Sequence, residues 1–465
     1  MTGIITESLV DGYFTGRSLT TLGRDLRSGR TTSAALVEHA LQSIARIDPI
    51  VNAFVSVSAD AACAAARVAD AELESGLDRG PLHGIPVAIK DIIDIVGQVT
   101  SYGSDARPSH PATADADCIA TLRAAGAVII GKTVLHEFAY GATGDRSAHG
   151  PSRNPHDPGR ISGGSSGGSA VAVAAGMVPL AIGTDTAGSV RVPAALCGVV
   201  GFKPAFDAIS TRGVFPLAPT LDHVGLFARS VGDAATAYRI LAHTDTDSDA
   251  VRSPLSPAAW IEPEALGPVD PRVADRAIAA VRAAGISATS VDLRRGRGAL
   301  FELFTTLQAS EVYAVHAEAR ETYDDTVDPS VLARIDRGAE IPAWRYIHAG
   351  TERTRFTREI ECLLERFDVL MLPTAGTVAT RLGESHPDID GTPYEVRAAL
   401  LALTSPWNLT GSPALTIPVG AVEGLPTGLQ LVCAPGRESA LWELAGQIEA
   451  AIAATPYPRR LTCDN

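Results

Sequence analysis

Residues 141–170 do most to restrict what this chain can become, because 30 consecutive positions are rich in Gly, Ser, Pro and Asn with little periodicity. A structureless loop of that length inside a compact domain is uncommon and usually functional. Its last part, Ile161-Ser-Gly-Gly-Ser165-Ser166-Gly-Gly-Ser169, has the composition of a flexible linker. A linker should join two bodies. Here the chain instead passes at once into small helix formers at Ser169–Ala175 and an apolar strand at Val178–Thr184. Glycines around paired serines also suit a tight backbone where side chains approach closely.

The flanking pattern predicts the fold class. Leu22, Leu26, Ala34, Leu36, Ala40, Leu41, Ile44 and Ile47 recur at helical spacing, interrupted by Gly29, with Thr31-Thr32-Ser33 offering N-caps for a second helix. An Ala-rich helix is expected over Ala59–Leu77 and another over Asp117–Ala125, with apolar strands at Ile85–Lys90 and Ala127–Ile130. Short apolar strands alternating with helices predict an α/β fold, a central mixed β-sheet covered on both faces by α-helices. Strands return at Val369–Pro373, Ala414–Val419 and Gly428–Cys433, before a closing helix at Glu438–Ala453. Residues 1–465 are expected to form a single domain, with 245–365 as a peripheral, mainly helical part over the substrate site.

Composition excludes several function classes. With 39 basic against 53 acidic residues, the net charge of −14 argues against phosphate-backbone binding and against a surface made for anionic lipid. The 43 glycines and 30 prolines fit a compact protein with many turns. Six cysteines (Cys63, Cys118, Cys197, Cys362, Cys433, Cys463) lie far apart without a CxxC pair, so neither a disulfide framework nor a zinc ribbon is expected. Met1–Glu7 lacks a basic segment leading into an apolar one, and no apolar run reaches about 18 residues. The expectation is a soluble, cytoplasmic protein.

Three places can carry chemistry. Lys90 ends an apolar strand among Ile89, Ile92 and Ile93; burial there lowers its pKa and makes it a base, whereas a lysine reaching solvent or pairing with Asp91 is merely structural. The Gly/Ser run holds Ser165 and Ser166. The third is Gly183-Thr184-Asp185-Thr186-Ala187-Gly188-Ser189-Val190-Arg191-Val192-Pro193, a strand entering a turn before a short helix that Pro193 is placed to open. Such a turn either merely connects two elements or converges its backbone N–H groups on one point, as an oxyanion hole requires.

Lys90, Ser165 and Ser189 occur in this order, 75 and then 24 residues apart, followed by Pro193-Ala-Ala-Leu-Cys197-Gly-Val-Val-Gly201-Phe-Lys-Pro204. Together these runs resemble the amidase signature family of hydrolases, densely over residues 20–245 and loosely over 367–453. The resemblance implies the amidase signature fold and a Ser–cisSer–Lys triad. Ser189 would be the acylated nucleophile, Ser165 the bridging serine after a cis peptide, and Lys90 the base. The N–H groups of Thr186, Ala187, Gly188 and Ser189 would form the oxyanion hole, with Thr184, Asp185, Ser166 and Arg191 in support. Ala187 departs from a second glycine common in the family. Phe138, Tyr140, Gly141 and Arg146 are candidates to line the substrate pocket. No metal or organic cofactor is implied, and none of the 11 histidines lies in an HExxH pattern.

The family's substrates range from small and aryl amides to lipid amides, carbamates (urethanases) and ureides, and one branch is the catalytic subunit of a tRNA-dependent amidotransferase. Phe138–Gly144 and Pro151–Asp157 resemble members acting on small amides or ureas, and 184–230 resembles allophanate-type enzymes. The main expectation is an amidase acting on linear amides, with urethanase-like carbamate cleavage open to the same triad. The alternatives are an allophanate or 1-carboxybiuret hydrolase, which Arg146 or Arg153 in the pocket would favour, and the amidotransferase subunit. The expected partners are a small amide or carbamate substrate and water, with a homodimer as the common enzyme assembly.

Overall fold

The structure, a computed structural model, describes residues 11–106, 110–244, 257–293, 295–296, 298–323 and 326–453. Met1–Glu7, Cys463 and the start of the 245–365 stretch, up to residue 256, lie outside the described residues.

One 11-stranded sheet organises the chain. Across it the strands run Phe54–Val57, Val128–Thr133, Pro86–Lys90, Leu180–Asp185, His223–Ala228, Val200–Lys203, Ala414–Val422, Leu425–Val432, Val369–Pro373, Ala258–Ile261 and Ala288–Val291. Pro86–Lys90 is parallel to both its neighbours, and the middle of the sheet is antiparallel. The sheet is therefore mixed, as expected. Both faces are covered because successive residues of a strand point to opposite sides. In Val369–Pro373, Val369 and Met371 join one apolar cluster while Leu370 and Leu372 join another, and in Ala414–Val422 the first residue joins the second cluster while Leu415, Ile417 and Val419 join the first. Each such buried Val, Leu, Ile or Met side chain contributes roughly 1.5–3 kcal/mol.

Local signals account for many element ends. The first helix, Leu19–Arg27, is capped by Ser18 Oγ accepting from Thr21 N–H and stops before Gly29, whose φ is +69°. Thr32 caps the second, Ser33–Val51, by accepting from Ala35 N–H. Helices Ala59–Glu74, Asp117–Ala124 and Glu438–Ala453 also follow the sequence pattern.

Two stretches carry more strand than their composition announces. Within 141–170, Arg153–Asn154 pairs with Asp157–Ile161 as a small hairpin, and Gly167–Ala174 is already helix. Within 245–365, Ala258–Ile261 and Ala288–Val291 are the last strands of the central sheet, before the helices Ala299–His316, Pro329–Arg337 and Ala343–Arg366. Among the described residues no helix is long and apolar enough to cross a membrane.

Candidate functional site

Lys90 and Asp185 end neighbouring parallel strands, so both residues stand at the carboxyl edge of the sheet. That edge is where open α/β sheets place their ligands. Lys90 is fully buried, and its Nζ donates to Ser165 Oγ at 2.8 Å and to Thr184 Oγ1 at 2.7 Å. Burial lowers its pKa to about 7 against the opposing pull of Asp185 and Asp222. Asp91 does not pair with Lys90; it points the other way and meets Lys132 Nζ at 3.0 Å.

The Gly/Ser run packs where few side chains fit. Gly168 lies so close to the backbone that a Cβ there would stand 2.3 Å from Ala53 O. This keeps the helix Gly167–Ala174 against the sheet and sets Ser165 and Ser166 at its start. The Gly164–Ser165 peptide is cis. Ser166 Oγ donates to Thr184 O at 3.1 Å and accepts from Thr184 N–H at 3.2 Å, while its own N–H donates to Ser189 O at 3.2 Å. The run is thereby tied to the strand end and to the Ser189 turn.

The turn after Asp185 is organised by the Asp185 carboxylate. Both Asp185 and Arg191 are fully buried, 2.8 Å apart, and Arg191 also donates to Thr404 O, Gln430 Oε1 and Asn408 Oδ1. Burial raises a carboxyl's pKa, but the Arg191 guanidinium outweighs it and holds Asp185 well below the usual carboxylate range. Asp185 also accepts from Gly188 N–H at 2.8 Å and from Val190 N–H at 3.2 Å. The Gly188 N–H is thus engaged inward, and among the described residues nothing accepts from the N–H groups of Thr186, Ala187 or Ser189. Gly188 has φ +137°, and a Cβ on it would stand 2.3 Å from Thr404 Oγ1. Ala187, the departure from the family glycine, has no positive φ, and its methyl packs in an apolar cluster with Val192. The short helix is Arg191–Cys197, so Pro193 falls in its first turn instead of opening it.

Thr404, Asn408, Gln430 and Asp222 complete the surroundings. Thr404 Oγ1 donates to Ala187 O at 2.6 Å, Asn408 Nδ2 donates to Asp185 Oδ1 at 2.9 Å, and Thr186 Oγ1 donates to Asp222 Oδ1 at 2.5 Å. Sequence reasoning passed over these four. Asp222 lies within 184–230, read only for its resemblance to allophanate-type enzymes, Gln430 within the strand expected at Gly428–Cys433, and Thr404 and Asn408 in a short run, Thr404-Ser-Pro-Trp-Asn408, set between apolar segments.

The expected pocket residues divide. Phe138 is buried in an aromatic cluster with Phe215, His316 and Tyr323. Tyr140 and Gly141 run beside the Gly/Ser turn: Gly164 N–H donates to Ala142 O at 2.7 Å, and a Cβ on Gly164 would stand 3.1 Å from Gly141 O. Arg146 is 46 % exposed and pairs with Asp328 at 3.6 Å. Arg153 lines an outer groove of about 500 Å³ with Asp48, Asn52 and His149, and none of Lys90, Ser165 or Ser189 lines it.

Chemically, this edge holds a buried lysine on a serine hydroxyl, a second serine in a turn with free N–H groups, and an ion pair that fixes the turn. Comparison with known proteins identifies the family. The Amidase family model matches residues 35–442. The chain is 36 % identical over 433 residues to AtzE of Pseudomonas sp. (strain ADP), a 1-carboxybiuret hydrolase subunit, covering 89 % of this chain and 94 % of that protein. It is 34 % identical over 466 residues to a glutamyl-tRNA(Gln) amidotransferase subunit of Symbiobacterium thermophilum, covering 91 % and 94 %. A crystal structure of an amidase superposes with a TM-score of 0.86 at 35 % identity, covering 93 % of this chain and 99 % of that one. On these matches, over most of the chain and with the same fold, the chain belongs to the amidase signature family, hydrolases of amide C–N bonds.

Proposed function

We propose that the chain hydrolyses linear amides through an acyl-enzyme on Ser189, with Ser165 and Lys90 as the proton relay. The observation that carries this reading is the buried 2.8 Å contact between Lys90 Nζ and Ser165 Oγ, with Lys90 poised near neutrality. Unprotonated Lys90 takes the Ser165 proton while Ser165 takes that of Ser189, and Ser189 Oγ bonds to the substrate carbonyl carbon. The carbonyl oxygen gains negative charge and is met by the N–H groups of Thr186, Ala187 and Ser189, the three left unengaged. The relay then returns the proton to the leaving nitrogen as the C–N bond breaks. Water enters by the same route in reverse, releasing the acid and free Ser189. Ser166, Thr184, Asp185 and Arg191 position this machinery.

A carbamate presents the same carbonyl and the same oxyanion, so urethanase activity follows if the pocket admits the alkoxy side. A ureide hydrolase is the second reading, favoured by the 36 % identity to a 1-carboxybiuret hydrolase subunit. The amidotransferase-subunit reading draws on the 34 % identity to one such protein. A parallel assay separates the three, using an aryl amide, a nitrophenyl carbamate, and allophanate with biuret. Aniline or nitrophenol release supports the amidase or urethanase. Ammonia from the ureides alone moves the protein to the second reading, and no turnover on any of them points to a subunit that needs its complex.

A further inference from the structure

Beside this site lies positive charge that no carboxylate of the described residues pairs. Two guanidinium carbons lie near the ring of buried Tyr140, Arg334 Cζ at 5.4 Å and Arg397 Cζ at 5.8 Å from its centre. Helix Pro329–Arg337 delivers the first, and the short helix Val396–Leu401 the second. Arg397 is 9 % exposed; its Nη2 donates to Gln308 Oε1 at 3.2 Å, while its Nε, like that of Arg334, is buried with no acceptor. Among the described residues no carboxylate forms an ion pair with either guanidinium. The acids that face them are engaged as helix caps: Asp328 accepts from Ser330 N–H at 2.8 Å and Glu395 from Ala398 N–H at 3.1 Å.

The cluster connects to the triad through His136. Its backbone N–H donates to Ser165 O at 3.0 Å, and its ring Nε2 lies 3.3 Å from Arg334 Nη2. A guanidinium can only donate, so that ring nitrogen accepts and the imidazole is neutral. Burial and the charges of Arg334, Arg146 and Arg397 hold it so, well below the usual histidine pKa. Burial and then Arg397 likewise lower Arg334 to about 10. Two desolvated like charges with unanswered N–H groups are costly unless an anion supplies the acceptors. A carboxylate matches the planar N–H fork of arginine.

We propose that Arg334 and Arg397, both against the Tyr140 ring, form a subsite for a substrate carboxylate, so that the preferred substrates are amides or ureides with a second, anionic end. This rests on the hydrolase reading above and adds the substrate class to it. Arg146 and Arg153, the arginines expected from sequence, do not supply it: one pairs with Asp328, and the other donates to Pro158 O at 3.0 Å on the hairpin.

The test uses the whole chain with butanamide, which is neutral, against malonamate, succinamate and glutaramate. At least one carboxylate substrate is expected to exceed butanamide in kcat/KM by about tenfold or more, the scale of a charge-assisted hydrogen bond. Arg397→Gln is expected to erase that ratio mainly through KM, and Arg397→Lys to keep part of it. Equal kcat/KM for charged and neutral substrates, or an Arg397→Gln loss that falls equally on both, overturns the subsite. Calorimetric titration with succinate reads the subsite without turnover. Saturable binding that weakens about tenfold in both Arg397→Gln and Arg334→Gln supports it even if no amide is cleaved, in which case only the hydrolase reading fails. Cleavage without charge preference and without succinate binding overturns the subsite alone. Melting curves show which variants are folded, and Arg334→Gln carries the test if Arg397→Gln is not.

Discussion

Lys90 and Lys132 are both buried at the ends of adjacent parallel strands, yet only Lys132 has a carboxylate, Asp91 Oδ1 at 3.0 Å, against its ammonium. Lys90 faces the Ser165 and Thr184 hydroxyls instead. Burial lowers the pKa of Lys132 as well, but the Asp91 carboxylate opposes that and makes the pair a structural one. One surrounded by neutral hydroxyls gives up its proton easily and becomes a base.

The pH dependence of turnover follows from this difference. Burial brings Lys90 to about 7, and the unprotonated form is the active one. Activity is therefore lost as pH falls through about 7 and is full above it. A kcat/KM profile should show this acidic limb, and Lys90→Met should remove the limb together with roughly 10²–10⁴ of the rate. A wild-type profile flat from pH 5 to 9 would contradict the role of Lys90.

Asp185 and Arg191 predict a stability effect confined to buried pairs. Asp185→Asn leaves the enclosed Arg191 charge uncompensated, which costs about 3–5 kcal/mol. A clear drop in melting temperature is expected. Asp117→Asn removes the acid facing the 84 % exposed Arg212 and should barely move the melting temperature, since solvent screens that pair.

The two residues before Ser189 should respond in opposite ways. Gly188→Ala puts a methyl at φ +137° against Thr404, straining the turn by about 1–3 kcal/mol and displacing the N–H groups around Ser189. A fall in kcat in folded protein is the expected result. Ala187→Gly needs no such adjustment, because Ala187 has no positive φ, and should retain turnover.

Much of this was legible where the signal is local. Ser165, Ser189 and Lys90 stand within short runs whose composition differs from their surroundings, and Thr32 marks its helix start as an N-cap should. The hairpin Arg153–Ile161 was not legible, because two residues on one side and five on the other are too few to show alternation. Strands Ala258–Ile261 and Ala288–Val291 have only four residues each, which Pro- and Ala-rich surroundings conceal. The partners of Arg191 were out of reach for another reason. Thr404, Asn408 and Gln430 lie more than 200 positions away in sequence, and only the folded sheet brings them to it. Arg334 and Arg397 are hidden likewise, since nothing near either names Tyr140 as its neighbour.

The central claim is that Ser189 carries the acyl group, and trapping that intermediate tests it most directly. The whole chain would be mixed with a nitrophenyl ester or carbamate, quenched in acid, digested and mapped by mass spectrometry. The predicted result is one acyl group on the peptide containing Ser189, absent in Ser189→Ala protein of unchanged melting temperature. Acyl mass on another residue, or a Ser189→Ala protein that labels and turns over as the wild type does, would contradict the account.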